Sequence, residues 1–506
     1  MSSITTLANA SATAPDYVVR ETSSTLKSLM WILGLAGATA VVMSVLASGL
    51  FWQVIGTAVV GSFFFIVLWV SMTTSASGIL RPRNVIFALW WALLLSEEVF
   101  SYMSDAEETF SGQFQAGAYS EAAIWIFCLL GLVAYSFRNA QFLYEMFKGP
   151  YKWVTMFALV AAATCVYSPN ILFATAWCCK LWVAVLILGA CKYEIRTTDD
   201  VRAFMKVSMW GFFFLVVLPF SRLIADPSVM VTGRLFDIAL APTNLSAVAG
   251  ILVMLALTTY APGHKAIPLF FTLFSTVMMV MAGGKAGILA GIISGILFYI
   301  LQKKFAGAGT FLIVMVIIST VIIMMTPLGK YLKFYAENEQ VNTVTGRTDV
   351  WEGGLNLIAK RPIFGYGYMG SRFLTFKVPG IVWAPEHLHN GFLEAWYGTG
   401  LPGLIFVIMM HYWVIKNLLS AVRNSKPGTE LNQLSAGCFV IYLNVLLNGM
   451  VSRSFGSRAD ASFMMLFAMV FFGELLNNLA LQTPYSKARR SALAAGSGFK
   501  PQVAAT

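Results

Sequence analysis

The sequence predicts an all-α fold: a polytopic bundle of about 12–14 membrane-spanning helices with one large external loop that holds amphipathic helices. Three observations predict it. The 506 residues are 58% hydrophobic and 11% charged, whereas a soluble domain carries about 25% charged residues. Fourteen apolar stretches recur along the chain, most of them near the roughly 20 residues that cross a bilayer as a helix. Lysine and arginine crowd into alternate loops, the pattern left by a chain threaded back and forth.

Residues 1–28 are polar and rich in Ser, Thr and Ala, with no sign of a cleaved signal peptide. They read as a cytoplasmic tail, and the first apolar stretch as a retained span. A transmembrane segment over 29–326 holds stretches centred on Gly37, Gly61, Trp91, Leu129, Leu159, Val183, Phe213, Leu252, Ser275, Ser294 and Ile317. Those around Leu159 and Ser294 are short. Residues 327–400 form a loop out of scale with the others, and long loops are commonly functional. Spans centred on Val407, Tyr442 and Phe467 fill 401–482. Residues 483–506 read as a disordered basic tail.

Charge fixes the direction. With a cytoplasmic N-terminus, the cytoplasmic loops hold Arg81 and Arg83; Arg138, Lys148 and Lys152; Lys192, Arg196, Arg202 and Lys206; Lys265; Lys303 and Lys304; Lys416, Arg423 and Lys426. The C-terminal tail adds Lys487, Arg489, Arg490 and Lys500. The opposite loop at 103–121 is acidic, with Asp105, Glu107, Glu108 and Glu121. Both termini are therefore placed in the cytoplasm. The net charge of +11 follows from this sidedness. No run of five basic residues supports a nucleic-acid partner. The six cysteines lie in or beside apolar stretches without metal-ligand spacing, and read as small buried hydrophobes. No metal or cofactor motif, ATP-binding loop or internal repeat is visible.

Basic residues on the external side go against that rule. Short external loops hold Arg222, Arg234, Lys285, Arg453 and Arg458. The large loop holds Lys330, Lys333, Arg347, Lys360, Arg361, Arg372 and Lys377. Solvated loop charge or contact with lipid headgroups explains any one of them. A pocket for an anionic substrate explains them together, each arginine–phosphate contact being worth about 1.5–3 kcal/mol. In "TGRTDVWEGGLNLIAKRPIF", Trp351, Leu355 and Ile358 fall at helical spacing. Asp349 lies in the first turn, Lys360 and Arg361 in the last, and Pro362 stops the helix. Arg347 thereby opens an amphipathic helix whose free N–H groups also suit a phosphate. In "AGGKAG", glycines flank Lys285 at an external junction, where backbone can approach a ligand.

The stretch "EHLHNGFLEAWYGTGLPG" ends the large loop and holds two of the four histidines, His387 and His389. An imidazole of ordinary pKa, about 6.5, is a suitable base for a hydroxyl. Read as helix, residues two apart point to different faces, so the two rings would not serve one hydroxyl. Glu386, Glu394, Asn390 and His387 are candidates for an orienting or substrate-touching role. His411, inside a span, and His264, in a short cytoplasmic loop, read as structural.

The ordered blocks "GRTDVW", "RPIFGYG" and "HNGFLEAWYGTGLPG" span residues 346–403, about an eighth of the chain. Together they resemble the O-antigen ligase and polysaccharide polymerase superfamily, and most closely the exopolysaccharide polymerases of bacteria. The many-span architecture extends the likeness. The resemblance implies an enzyme of the inner membrane working on the periplasmic face, with 327–400 as its catalytic loop. It implies a polyprenyl-diphosphate-linked oligosaccharide donor, a glycan acceptor and no metal, and a single displacement at the anomeric carbon would invert its configuration. Chain-length regulator and export proteins would be its partners, besides the lipid bilayer. Carried over by position, His389 is the base, and Arg347 and Arg234 bind diphosphate. Lys285 stands where relatives often carry an arginine, and Arg222 joins the diphosphate set. A ligase moving glycan to lipid A core would share these parts. A transporter would instead show repeated halves and midplane charges. Lys180 in "AWCCKLWVAV" is the one clear midplane charge. Glu97 and Glu98 could contact sugar or simply end a span. Trp351, Tyr366, Trp383 and Trp396 could stack on sugar or pack.

Overall fold

The computed structural model describes residues 82–99, 116–225, 230–231, 234–235, 242–259, 266–330, 333, 347–373, 387–452, 455–456 and 459–494. The chain divides into two compact units, 1–85 and 86–506. Only the four residues that begin the first helix are described in the former, and the account below concerns the latter.

The described residues are all-α apart from one antiparallel pair of two-residue strands. In order, the helices are α1 (Pro82–Val99), α2 (Ala116–Asn139), α3 (Gln141–Glu145), α4 (Lys152–Thr164), α5 (Ile171–Glu194) and α6 (Thr198–Ala225). The strands β1 (Met230–Val231) and β2 (Arg234–Leu235) follow. Then come α7 (Pro242–Thr259), α8 (Ala266–Met281), α9 (Lys285–Leu301), α10 (Phe305–Met325), α11 (Arg347–Ile358), α12 (Gly391–Asn424), α13 (Glu430–Gly449), α14 (Ala461–Gln482) and α15 (Pro484–Ala494).

Every predicted span centre from Trp91 to Phe467 falls in a helix. Those at Gly37 and Gly61 lie outside the described residues. Among the described residues, six helices are long and apolar enough to cross a bilayer: α5, α7, α10, α12, α13 and α14. α8 and α9 are apolar but shorter, and α4 has 13 residues, about 20 Å of helix. Local chemistry sets the starts. Asn170, Asn390, Thr429 and Asp460 cap α5, α12, α13 and α14, each accepting from backbone N–H groups of the first turn. Pro242 opens α7, where its missing N–H costs nothing. α14 is sheathed almost all round, its Phe463, Phe467 and Phe472 having no exposure. α10 shows 17% burial over its apolar window, as expected of a helix facing lipid.

Two expectations are corrected. Residues 484–494 are helical, not disordered: Thr483 Oγ1 accepts from Ser486 N, and Arg490 reaches back to Leu481 O. Among the cysteines, all free thiols, five are buried but Cys179 is exposed. Lys180, by contrast, is wholly buried. Its ammonium lies 4.7 Å from the Trp177 ring and 5.1 Å from that of Trp125, so it packs inside rather than reaching for an interface.

The helix ends gather into two sets. At one end Asn390 Nδ2 donates to Met450 O, the turn at Gly284 packs on Ser246 and Pro242 O, Leu328 joins Val280 and Ile322, and Ser168 Oγ donates to Tyr368 O. At the other, Lys192 Nζ donates to Glu145 O and Lys148 O, Gln433 Nε2 to Leu257 O and Thr258 O, and Arg202 pairs with Glu430.

Candidate active site

The histidines sit on a turn, and the turn explains their relation. Asn390 is the N-cap of α12: its Oδ1 accepts from Phe392 N at 3.0 Å and Leu393 N at 3.2 Å. The helix therefore starts after His389, not before it. His389 takes a left-handed φ of 51°, uncommon for a residue with a side chain. Off the helix, the two rings lie side by side, centroids 4.0 Å apart and planes tilted by 48°. The expectation of different faces is overturned, because it assumed helical geometry where the backbone is extended and turned.

Leu388 between them is fully buried and clusters with Val350, Ile358 and Tyr397. Glu394 holds the same turn from inside. Its carboxylate accepts from Leu388 N at 2.5 Å and from Ser371 Oγ at 2.6 Å, and is 1% exposed. This settles the geometry of one proposed orienting residue: Glu394 grips the backbone between the histidines. Asn390 spends its amide on capping and on Met450 O. Glu386 lies outside the described residues.

α11 begins at Arg347, as its signals predict, with Asp349 in the first turn. Its end differs. The helix stops at Ile358, and Lys360 N and Arg361 N close a tighter turn on Leu357 O and Ile358 O. Its buried face also differs: Val350, Gly354 and Ile358 point inward, while Leu355 is 44% exposed. Gly354 has a packing reason, since a Cβ there would meet Leu388 Cδ2 at 2.5 Å. Gly354→Val is expected to push α11 off the histidine turn at a cost of about 1–3 kcal/mol. Faster proteolysis at α11 in intact membranes would show it, and an unchanged rate would contradict this packing.

The "RPIFGYG" block and the "GTGLPG" block exchange hydrogen bonds. α12 kinks at Gly400, whose φ and ψ are 68° and −170°, and the kink frees backbone groups. Leu401 N turns to Pro362 O and Ile363 O, at 3.0 and 3.1 Å, and Tyr397 O accepts instead from Tyr366 N at 2.7 Å. Pro402 then falls in the first turn of the continuing helix, where proline is tolerated. Tyr366 stacks on Tyr397 at 4.6 Å and 8°, with the Arg361 guanidinium 5.2 Å from its ring. Trp396 Nε1 donates to Pro362 O. Two of the aromatics considered for sugar stacking are thus used in packing. The block is also tied to the α4–α5 turn, by Tyr167 to Phe364 O at 2.5 Å and by Ser168 to Tyr368 O at 2.9 Å. Burial raises the Tyr167 phenol above its ordinary value, which keeps it a donor.

A Cβ on Gly400 would lie 2.0 Å from Ile363 O. Gly400→Ala should cost about 3 kcal/mol or more. Gly428, at φ 81° with nothing within 4 Å of its Cβ position, isolates the conformational part, and Gly428→Ala should cost about 1–2 kcal/mol. Thermal melts of the purified variants compare them, and equal shifts would rule out the clash.

The cationic candidates are placed unevenly. Lys285 is exposed at the first residue of α9, and Arg347 is half-buried at the first of α11. The glycines beside Lys285 serve packing: a Cβ on Gly284 would meet Ser246 Cβ at 2.6 Å and Pro242 O at 3.2 Å. That contact brings the N-termini of α7 and α9 together. Arg234 opens β2, pairing with Val231, and Arg222 lies in the last turns of α6. The side chains of both, and of Glu97 and Glu98, are outside the described residues. His411 is buried, its Nδ1 3.1 Å from the Tyr442 hydroxyl. No group of three or more metal-ligating side chains occurs among the described residues.

Residues 270–408 match the O-antigen ligase family model. The match runs from α8 through the kink of α12, and takes in Lys285, Arg347, both histidines and Glu394. Over 95 residues the chain is 34% identical to the exopolysaccharide production protein ExoQ of Rhizobium meliloti, which covers 16% of this chain and 22% of that protein. Over 114 residues it is 27% identical to a Rickettsia felis protein provisionally named a polysaccharide ligase, covering 21% and 26%. An uncharacterized Haemophilus influenzae protein is 37% identical over 95 residues, covering 17% and 24%. The chain thus spans about a quarter of the length of the curated relatives it matches.

Proposed function

We propose that the chain is an inverting membrane glycosyltransferase of the bacterial inner membrane. It polymerises polyprenyl-diphosphate-linked oligosaccharide repeats into exopolysaccharide on the periplasmic face. The observation that carries this reading is the histidine turn, held by Glu394 and Leu388 at the bundle end where α9 starts with Lys285 and beside the helix that Arg347 opens. Likeness to the ligase family and to ExoQ supports the reaction class. The opposite end carries Lys148, Lys192, Arg202 and Arg423, and the positive-inside rule puts that end in the cytoplasm. Residues 327–400 then form the periplasmic catalytic loop between the spans of 29–326 and those of 401–482.

In this mechanism an acceptor sugar hydroxyl attacks the anomeric carbon of the donor. Its proton passes to His389. The bond from that carbon to the diphosphate oxygen breaks, and polyprenyl diphosphate leaves with the electron pair. Negative charge grows on the diphosphate, and Arg347, Arg234, Arg222 and Lys285 stabilise it. One displacement inverts the anomeric configuration.

A ligase is the second reading, favoured by the family description and the Rickettsia relative. Purified protein in nanodiscs, given lipid-linked repeats, separates the two. Polymer from repeats alone supports the polymerase, and transfer that requires an added lipid A core supports the ligase. The absence of transfer to either acceptor would defeat both.

A further inference from the structure

We propose that His387 and His389 act as one coupled imidazole pair, in which His387 is a positioning residue that keeps His389 unprotonated when the medium turns acidic. The proposal rests on the glycosyltransferase reading for its consequence, but on geometry for its substance. The ring centroids are 4.0 Å apart, so the rings touch. The arrangement is imposed: Leu388 between them is sunk in the α11–α12 core, Glu394 fixes its N–H, and Asn390 starts the helix immediately after. The backbone that carries both rings is thereby held, so the two side chains spring from fixed points on the turn. Two like charges in contact disfavour each other, so such a pair takes up protons in two separated steps.

The consequence is specific. With equal intrinsic basicity, one proton shared by two rings leaves His389 unprotonated in about half the molecules. A single imidazole about one pH unit below its own pKa is unprotonated in about one tenth of the molecules. The elements packed around this turn carry other titratable or charged groups: α11 has Arg347, Asp349 and Glu352, the turn at Gly370–Phe373 has Arg372, and α12 has Tyr397 and Glu394, whose carboxylate holds Leu388 N. Beyond Met450 the sequence adds Arg453, and before His387 it adds Glu386, both outside the described residues. All of these are the same in wild type and in a His387 variant, so a comparison of the two isolates the pair.

The test uses the full chain in nanodiscs with His387→Gln, and with His387→Phe, which keeps a ring against His389 but cannot charge. Each protein is normalised to its own rate at about pH 8. At about pH 5.5 wild type is expected to keep about five times the normalised rate of either variant. A merely structural loss would lower the rate at every pH and leave the normalised profiles superimposed, and that result overturns the proposal. The second readout needs no turnover. The chain has four histidines, so imidazole NMR of selectively labelled protein can follow His389 directly. Its titration should run in two steps in wild type and in one step in both variants. An unchanged His389 titration overturns the coupling, whatever the enzyme does. A changed titration supports it even if His389→Ala proves that this histidine is not the base.

Discussion

Glu394→Ala is expected to lower polymer synthesis about 10- to 100-fold while the protein still inserts at normal levels. The residue is buried, and two donors that it holds, Leu388 N and Ser371 Oγ, are buried with it. Removing the carboxylate strands both donors away from water, and hydrogen bonds to a charged group contribute about 1.5–3 kcal/mol each. The damage is local, because the helix keeps its Asn390 cap. What loosens is the Leu388 backbone, and with it both histidines. A shift of about 1 Å in a reacting group can cost on the order of 100-fold. Glu394→Gln keeps one acceptor oxygen and should recover part of the loss. Measured initial rates with membrane levels held equal decide it. Full activity in Glu394→Ala would mean that the turn holds itself.

Much of the fold is legible because long apolar runs have few alternatives in a bilayer. The spans around Val183, Ile317 and Phe467 needed nothing else. α11 is legible at its start, where Arg347 and Asp349 mark the first turn, and misread on its face. A periodicity of large apolar residues picks Trp351, Leu355 and Ile358, but the buried stripe runs through Gly354. Glycine contributes nothing to a hydrophobic pattern, yet here it is the position that admits Leu388.

The site is legible in its residue types and not in its geometry. His389, Arg347 and Glu394 stand out as scarce polar residues on an apolar background. Their relation depends on where α12 begins, and the signal was present: Asn390 before Gly-Phe-Leu-Glu is an N-cap, which puts both histidines off the helix. Ser371 carried no signal of its own, since its partner lies 23 residues away. Nor could the Tyr366–Tyr397 stack be read, because it follows from the kink at Gly400 and the hydrogen bonds that the kink releases. The helix at 484–494 was masked by its basic composition, although Thr483 and Pro484 mark its start.

The most direct test is His389→Ala in a strain lacking the chromosomal gene, with His264→Ala as control and both checked for membrane levels. Lipid-diphosphate-linked single repeats and long polymer are measured together, and the side of the membrane that the repeats face is probed with an impermeant sugar-modifying enzyme. A positioned general base contributes about 100- to 10,000-fold. The predicted result is loss of polymer with accumulation of outward-facing single repeats, because supply and translocation continue while transfer stops. Inward-facing repeats would point to transport instead. Long polymer at a near-normal rate from His389→Ala would contradict the account, because the residue at its centre would then not be the base.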